Sequence, residues 1–139
     1  MVGNITFTII KPSAFADGHT GEVLAIIEKA GFRIKSIKKV WLTKNQASRF
    51  YDVHIGKPFY DDLVRFMCSG PIVAAVLEKE NAIEEFRTLI GATDPAKAAP
   101  GTIRKLFGKT MGENAIHGSD SDENAIKESC FFFSLMEQG

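Results

Sequence analysis

Ser69-Gly70-Pro71-Ile72-Val73-Ala74-Ala75-Val76-Leu77 is the stretch on which the fold turns. A turn of serine, glycine and proline is followed by a continuous apolar run, which reads as a strand buried on both faces. A strand of that kind needs cover above and below, and the flanking sequence supplies it. Towards the N-terminus, residues 5–10 alternate apolar side chains with Thr6 and Thr8, close in Ile9-Ile10 and stop at Lys11-Pro12, a β pattern that leaves Lys11 at a strand end. Thr20 can cap a helix whose apolar positions Val23, Ile26, Ile27 and Ala30 keep helical spacing, with Gly31 as its stop. Residues 32–42 are rich in β-formers with Phe32 and Ile34 on one face, but the phase slips by Ile37, which predicts a bulge or twist. Lys35, Lys38 and Lys39 read as the solvated surface of that strand. Thr43-Lys44-Asn45-Gln46 is a capping box, after which Ala47, Phe50, Tyr51 and His54 fall at helical spacing. That stripe suits core packing, although a histidine beside the tyrosine makes it partly polar and allows a cleft wall. Gly56-Lys57-Pro58 breaks the helix, and residues 59–67 begin another.

On the C-terminal side, Asn81-Ala82-Ile83-Glu84 forms a second capping box, opening a helix with Ile83, Phe86 and Ile90 inward, Arg87 on its flank and Gly91 at its end. Residues 93–101 read as a loop with one helical turn, proline occupying an early helical position. Residues 102–107 form a further short turn carrying Arg104. A short fourth strand falls before or at His117, and Ser121 caps a final helix to about Phe132, with Asp122 and Glu123 in its first turn where the dipole favours them. The whole pattern is α+β, a ferredoxin-like βαββαβ antiparallel sheet with helices on its faces and a C-terminal helix. Residues 1–139 make one domain of ordinary size.

The 139 residues are 45% hydrophobic, enough for one proper core. Lysine plus arginine and aspartate plus glutamate balance at 17 each, so no global field gathers nucleic acid or a membrane surface, and an anionic partner must be met locally. Met1-Val2-Gly3-Asn4-Ile5-Thr6 lacks a basic region followed by a long apolar run, and no membrane-spanning apolar segment occurs, which points to a cytoplasmic protein. Cys68 and Cys130 lack CxxC spacing and sit in apolar company, so they read as reduced structural thiols and imply no metal.

The chemistry concentrates in Asn114-Ala115-Ile116-His117-Gly118-Ser119-Asp120-Ser121. A neutral imidazole can attack a phosphoryl group or take a proton near neutral pH, provided that an acceptor fixes its tautomer. Glu128 is the candidate acceptor. Gly118 removes a side chain beside the ring, which suits close approach of a bulky anionic substrate, and Ser119 supplies a short hydroxyl. On residue type and spacing alone, His117 could equally be a loop histidine before a helix cap. Two decoys fall away. Gly108-Lys109-Thr110 resembles the end of a P-loop, but Ile103 stands where that motif needs glycine, and a helical segment precedes it. Asp120, Asp122 and Asn124 imitate an EF-hand start, but Ala125 and Phe131 stand where glycine and glutamate are required.

Along nearly its whole length the chain resembles nucleoside diphosphate kinase. The matching motifs are Ile9-Ile10-Lys11-Pro12, the segment from Tyr51 ending in Lys57-Pro58-Phe59-Tyr60, Ser69-Gly70-Pro71, Gly91-Ala92-Thr93-Asp94-Pro95-Ala96, Pro100-Gly101-Thr102-Ile103-Arg104, and the His117 stretch. The resemblance implies ping-pong exchange, in which His117 takes the γ-phosphoryl group of a nucleoside triphosphate and passes it to a nucleoside diphosphate. Glu128 would hold the tautomer with Ser119 linked to it, and Lys11 and Tyr51 would line the transferring group. Lys11, Arg87 and Arg104, with Thr93 and His54, would clamp phosphates bridged by magnesium, which is expected mainly on the substrate and not in a protein-built metal site. Lys11 and Asn114 would bond the sugar, and Phe59 would stack on the base with Met111 opposite, giving broad base tolerance. Family resemblance also implies a homo-oligomer, hexamer or tetramer, while the balanced charge argues against nucleic acid as the main partner. Ser13, Lys105-Leu106 and Glu113 depart from the family pattern. The rival reading is a non-catalytic ferredoxin-like module that holds nucleotide or nucleic acid without turnover.

Overall fold

A computed structural model of the protein describes residues 3–139; Met1 and Val2, part of the N-terminal stretch read above, lie outside the described residues. Four strands form one sheet: β1 (Ile5–Ile10), β2 (Arg33–Val40), β3 (Ile72–Glu78) and β4 (Ile116–Gly118), in the order β2-β3-β1-β4 with every neighbouring pair antiparallel. Its helices are α1 (Pro12–Ala16), α2 (Thr20–Lys29), α3 (Lys44–Phe50), α4 (Tyr60–Met67), α5 (Ala82–Ile90), α6 (Ile103–Phe107) and α7 (Asp122–Phe132). Short 3₁₀ turns occupy Asp52–His54, Pro95–Lys97 and Met136–Gln138. The architecture is the ferredoxin-like α+β fold expected from the sequence.

Why the β3 run is unbroken follows from the two-residue period of a strand. Val73, Ala75 and Leu77 enter a core shared with Val23 and Ile27 of α2 and with Phe86 and Ile90 of α5. Ile72, Ala74 and Val76 enter a second core with Ala47 of α3, Val64 and Met67 of α4, and Phe133 just beyond α7. On β1 the same alternation sends Ile10 to the first core and Phe7 and Ile9 to the second. Burying a phenylalanine such as Phe7 or Phe86 completely contributes on the order of 1.5–3 kcal/mol, so the sheet is held from both sides by comparable layers.

Several local expectations hold. β2 carries a register irregularity between Ile34 and Ser36, which accounts for the slipped phase and leaves Ile37 46% exposed. Thr43 and Gln46 form the reciprocal capping box, Thr102 and Ser121 accept from the third backbone N–H of α6 and α7, and Pro95 opens its 3₁₀ turn.

Others are corrected. Thr20 is the first residue of α2 and not its cap; His19 holds the cap position, and the Thr20 hydroxyl is buried without a partner among the described residues. Asn81 does not close a capping box: it adopts a left-handed conformation with φ of 55°, and its amide instead donates to Glu84 at 3.1 Å. α1 was not expected. Pro12 at its first turn pre-sets the helical φ, which is the signal for it. Lys38 is not simply solvated but pairs with Glu137 at 2.9 Å, and Cys130 is exposed and not enclosed in apolar company. Among the described residues, no helix is long and apolar enough to cross a membrane.

Candidate active site

His117 is held from the backbone outward. β4 pairs with β1 so that His117 faces Ile9, its carbonyl accepts from Thr8 Oγ1 at 2.7 Å, and Ser119 N–H donates to the Phe7 carbonyl at 3.1 Å. Just upstream, Ala115 takes a φ of 78°, a region that an L-residue enters only when its surroundings impose it, and its carbonyl accepts from Lys11 N–H at 2.8 Å. The ring is equally constrained. His117 Nε2 lies 2.8 Å from Glu128 Oε1, Ser119 Oγ donates to the same oxygen at 2.7 Å, and the Phe50 ring meets the imidazole edge-on at 5.9 Å. A carboxylate can only accept, so Nε2 carries the proton and the ring's lone pair is on Nδ1.

Around the histidine opens a cleft of about 1510 Å³. Lys11, Tyr51, His54, Phe59, Arg87, Thr93, Arg104, Met111, Asn114 and Glu128 all line it with His117, so the residues singled out in the sequence converge. Ser119 alone stands behind the wall, 1% exposed, and reaches the site through Glu128.

Lys11, Lys57, Arg87 and Arg104 bring positive charge to this cleft, Asp62, Glu113, Asp120 and Glu128 bring negative charge, and part of that charge is desolvated. Lys11 Nζ donates to Asn114 Oδ1 at 2.8 Å, and Asn114 Nδ2 donates to the Thr93 carbonyl at 3.0 Å, tying β1 to two loops. Burial, reinforced by the Arg104 charge, pushes the Lys11 pKa down to about 7. Arg104 donates to the carbonyls of Gly91 and Ile116 at 3.0 and 2.8 Å, and burial, then Arg87, lowers its pKa to about 10. Burial, then the Glu128 charge, raises the Tyr51 pKa, and the phenol oxygen and Arg104 Nε are buried without partners among the described residues. His54 lies within 3.1 Å of Lys57 Nζ, and desolvation followed by that ammonium lowers its pKa. Phe59 and Met111 expose 48% and 60% of their surface at the rim.

Gly118 lines the cleft beside His117 and has a second role that the sequence did not show. A β-carbon there would lie 2.9 Å from Phe86 Cδ2 and 3.0 Å from Ile90 Cδ1, so glycine is required by the packing of β4 on α5. Among the further lining residues to which the sequence assigned no site role are Phe50, Lys57, Asp120 and Asn124. Phe50 was visible only as one position of a core stripe, and Lys57 as part of a helix break and of a matching motif, with no site role attached. Asp120, which accepts from Asn124 Nδ2 at 2.6 Å, lay in the His117 stretch but was given a role only in the rejected calcium reading. Of the departures, Glu113 lines the cleft, whereas Ser13, Lys105 and Leu106 lie outside its lining among the described residues.

An antiparallel α+β fold with an oriented imidazole in a cleft that also gathers Lys11, Arg87 and Arg104 fits a phosphotransferase. The chain belongs to the nucleoside diphosphate kinase family, whose sequence profile matches residues 4–138. A nucleoside diphosphate kinase of Flavobacterium psychrophilum is 57% identical over 138 residues, covering 99% of each chain. That of Chlorobaculum tepidum is 58% identical over 132 residues, covering 95% of this chain and 94% of its own. Among solved structures, the Aquifex aeolicus nucleoside diphosphate kinase superposes with a TM-score of 0.95 at 47% identity, covering 98% of this chain and 99% of its own. The Halobacterium salinarum enzyme in complex with CDP gives 0.93 at 37%, covering 99% and 91%. The protein is thus an enzyme that transfers a phosphoryl group from nucleoside triphosphate to nucleoside diphosphate, and the reading as a non-catalytic module is not favoured.

Proposed function

We propose that exchange runs in two half-reactions through a phosphohistidine at His117. One observation carries the reading: with Nε2 donating to Glu128 at 2.8 Å, the nucleophilic lone pair is on Nδ1 of a ring that lines the cleft. In the first half-reaction Nδ1 attacks the γ-phosphorus, the N–P bond forms as the bond to the bridging oxygen breaks, and the diphosphate leaves. The second reverses this with another diphosphate. Glu128 stabilises the positive charge that develops on the ring, and Ser119 fixes the carboxylate that does so.

Phosphoryl transfer asks the protein chiefly for positioning and charge stabilisation. Arg87, Arg104 and Lys11, with Thr93 and His54, hold the phosphates, while the unpartnered Tyr51 hydroxyl and Lys11 meet the transferring group. Lys11 and Asn114 bond the sugar. Phe59 and Met111 offer an aromatic face and a soft apolar side chain with no hydrogen-bonding code, so purine and pyrimidine diphosphates should be accepted within about a hundredfold of one another. A divalent cation, magnesium, travels with the phosphates and offsets their charge. Such an ion is ordinarily held by one or two carboxylates plus phosphate and water, a demand that Asp120 fits as a cleft-lining carboxylate. The enzyme acts in the cytoplasm as a homo-oligomer.

Incubating the protein with γ-radiolabelled ATP tests this reading. The protein should acquire acid-labile, alkali-stable label, and His117→Ala should lose both label and exchange while still binding nucleotide. Turnover in His117→Ala comparable to the parent overturns the mechanism.

A further inference from the structure

Glu113 places a carboxylate on the lining of a cleft built for polyanions, and the turn that carries it suggests how that charge is managed. Residues 109–113 close on themselves: Lys109 N–H donates to the Glu113 carbonyl at 2.8 Å, and Glu113 N–H donates to Thr110 Oγ1 at 3.1 Å. The root of the turn is closely packed. A β-carbon on Gly108 would lie 2.6 Å from the Arg104 carbonyl and 2.7 Å from Pro95 Cγ, and Phe107 stacks against His19 with centroids 4.6 Å apart. Its outer side has one further tether, Lys109 Nζ to Asp17 Oδ2 at 2.9 Å. Asp17 is itself fixed as the C-cap of α1, with its N–H donating to the Ser13 carbonyl at 2.9 Å.

We propose that Lys109 is a positioning residue for the nucleotide cleft: its ammonium ties the turn to Asp17 at the α1–α2 corner, its N–H holds the Glu113 carbonyl, and together they present Met111 to the base while the Lys109 charge offsets that of Glu113 toward the phosphates. This rests on the reading of Met111 as a base contact. The hydrogen bond that Lys109 donates to Asp17, then the Asp17 charge and last the Glu113 charge, hold the Lys109 ammonium above its ordinary pKa. Lys109 and Asp17 expose 55% and 43% of their side chains, so the tether is a modest one.

The bridge gives an order of effects that an ordinary surface pair lacks. Asp17→Asn loosens the turn but leaves Lys109 beside Glu113. Lys109→Met removes the tether and also leaves Glu113 uncompensated next to an anionic ligand. Adding Glu113→Gln to Lys109→Met removes that second penalty, and Lys109→Arg keeps both partners. Calorimetric binding of ADP to the intact protein, with kcat measured in parallel, reads all four. Kd should rise about two- to fivefold in Asp17→Asn, more in Lys109→Met, fall back part of the way in the double variant, and stay at the parental value in Lys109→Arg, with kcat within about twofold throughout. An unchanged Kd in Lys109→Met overturns the proposal, as does a fall in kcat without a change in Kd, or a lower melting temperature alone. ADP binding needs no transfer to His117, so failure of the phosphohistidine reading would show in the labelling experiment and leave this one interpretable.

Discussion

At the scale of single residues, the site is a set of groups whose protonation is set by burial and by one another. Glu128 accepts from both His117 Nε2 and Ser119 Oγ, so Glu128→Gln replaces a charged acceptor with a neutral amide and gives up stabilisation of the developing imidazolium. Phosphoenzyme formation should slow by on the order of 10²-fold in rapid-quench measurements, with ADP binding little changed. Lys11 carries a second consequence. Its pKa is 10.5 in its ordinary state and about 7 here, lowered by burial and then by Arg104. Between those values the unfolded chain holds a proton that the folded chain has released, so this group's contribution to stability rises with pH across that window, and burying charged Lys11 opposes folding below it. Lys11→Met should flatten the rise, read as a smaller gain in the urea midpoint between about pH 7 and pH 9 than the parent shows. A phosphate at the site favours the charged form, so ADP binding above pH 7 should take up a proton, seen as a dependence of binding heat on buffer ionisation and absent in Lys11→Met.

At the scale of elements, β4 shows how a short strand can carry a site. Gly118 lets Phe86 and Ile90 of α5 pack directly against it, so Gly118→Ala should overpack the junction and destabilise the fold by about 1–3 kcal/mol, measured by urea unfolding. His117 precedes that residue in the same strand, and exchange should fall together with stability. The sequence made β3, α3 and α7 legible because each rests on local rules: an uninterrupted apolar run, a reciprocal cap, and a serine cap followed by acids. α1 escaped because five residues are too few for periodicity to emerge. Asn81 was misread because its left-handed conformation is a property of the β3–α5 connection, and the same Asn-to-Glu spacing serves a side-chain contact there. For Gly118, residue type alone could not separate room for a substrate from room for Phe86. Convergence of His117, Lys11 and Arg104 was readable only through family resemblance, since chain separations of 103 and 109 residues, as between Lys11 and Asn114 or Thr8 and His117, leave no local trace.

At the scale of the whole molecule, what stays uncovered is informative. Among the described residues β2 pairs with β3 alone, so one edge of the sheet ends there, and on or beside it Ile37 is 46% and Trp41 63% exposed, the latter donating its indole N–H to the Cys68 carbonyl at 2.9 Å. Natural sheets protect such edges with charge, bulges or a partner. Here lysines and a bulge supply the first two, with Lys35 and Lys38 engaged by Glu78 and Glu137, yet the exposed apolar side chains persist. Burying them against a second copy would remove both the open edge and the apolar surface, and a twofold contact needs only one self-complementary patch. The expected outcome is a homo-oligomer: light scattering should give a mass of about four or six times the 15.3 kDa chain. Ile37→Lys would set like charges against one another across such an axis and bury an ammonium without a partner, so its dissociation midpoint on dilution should move to at least tenfold higher concentration, the equivalent of about 1.4 kcal/mol. The His117 labelling of that variant should persist, because the cleft is lined by α3, α5, β4 and α7 of one chain and owes nothing to β2. A parent that scatters as a monomer overturns the assembly, and an Ile37→Lys midpoint equal to the parent's moves the contact away from this edge.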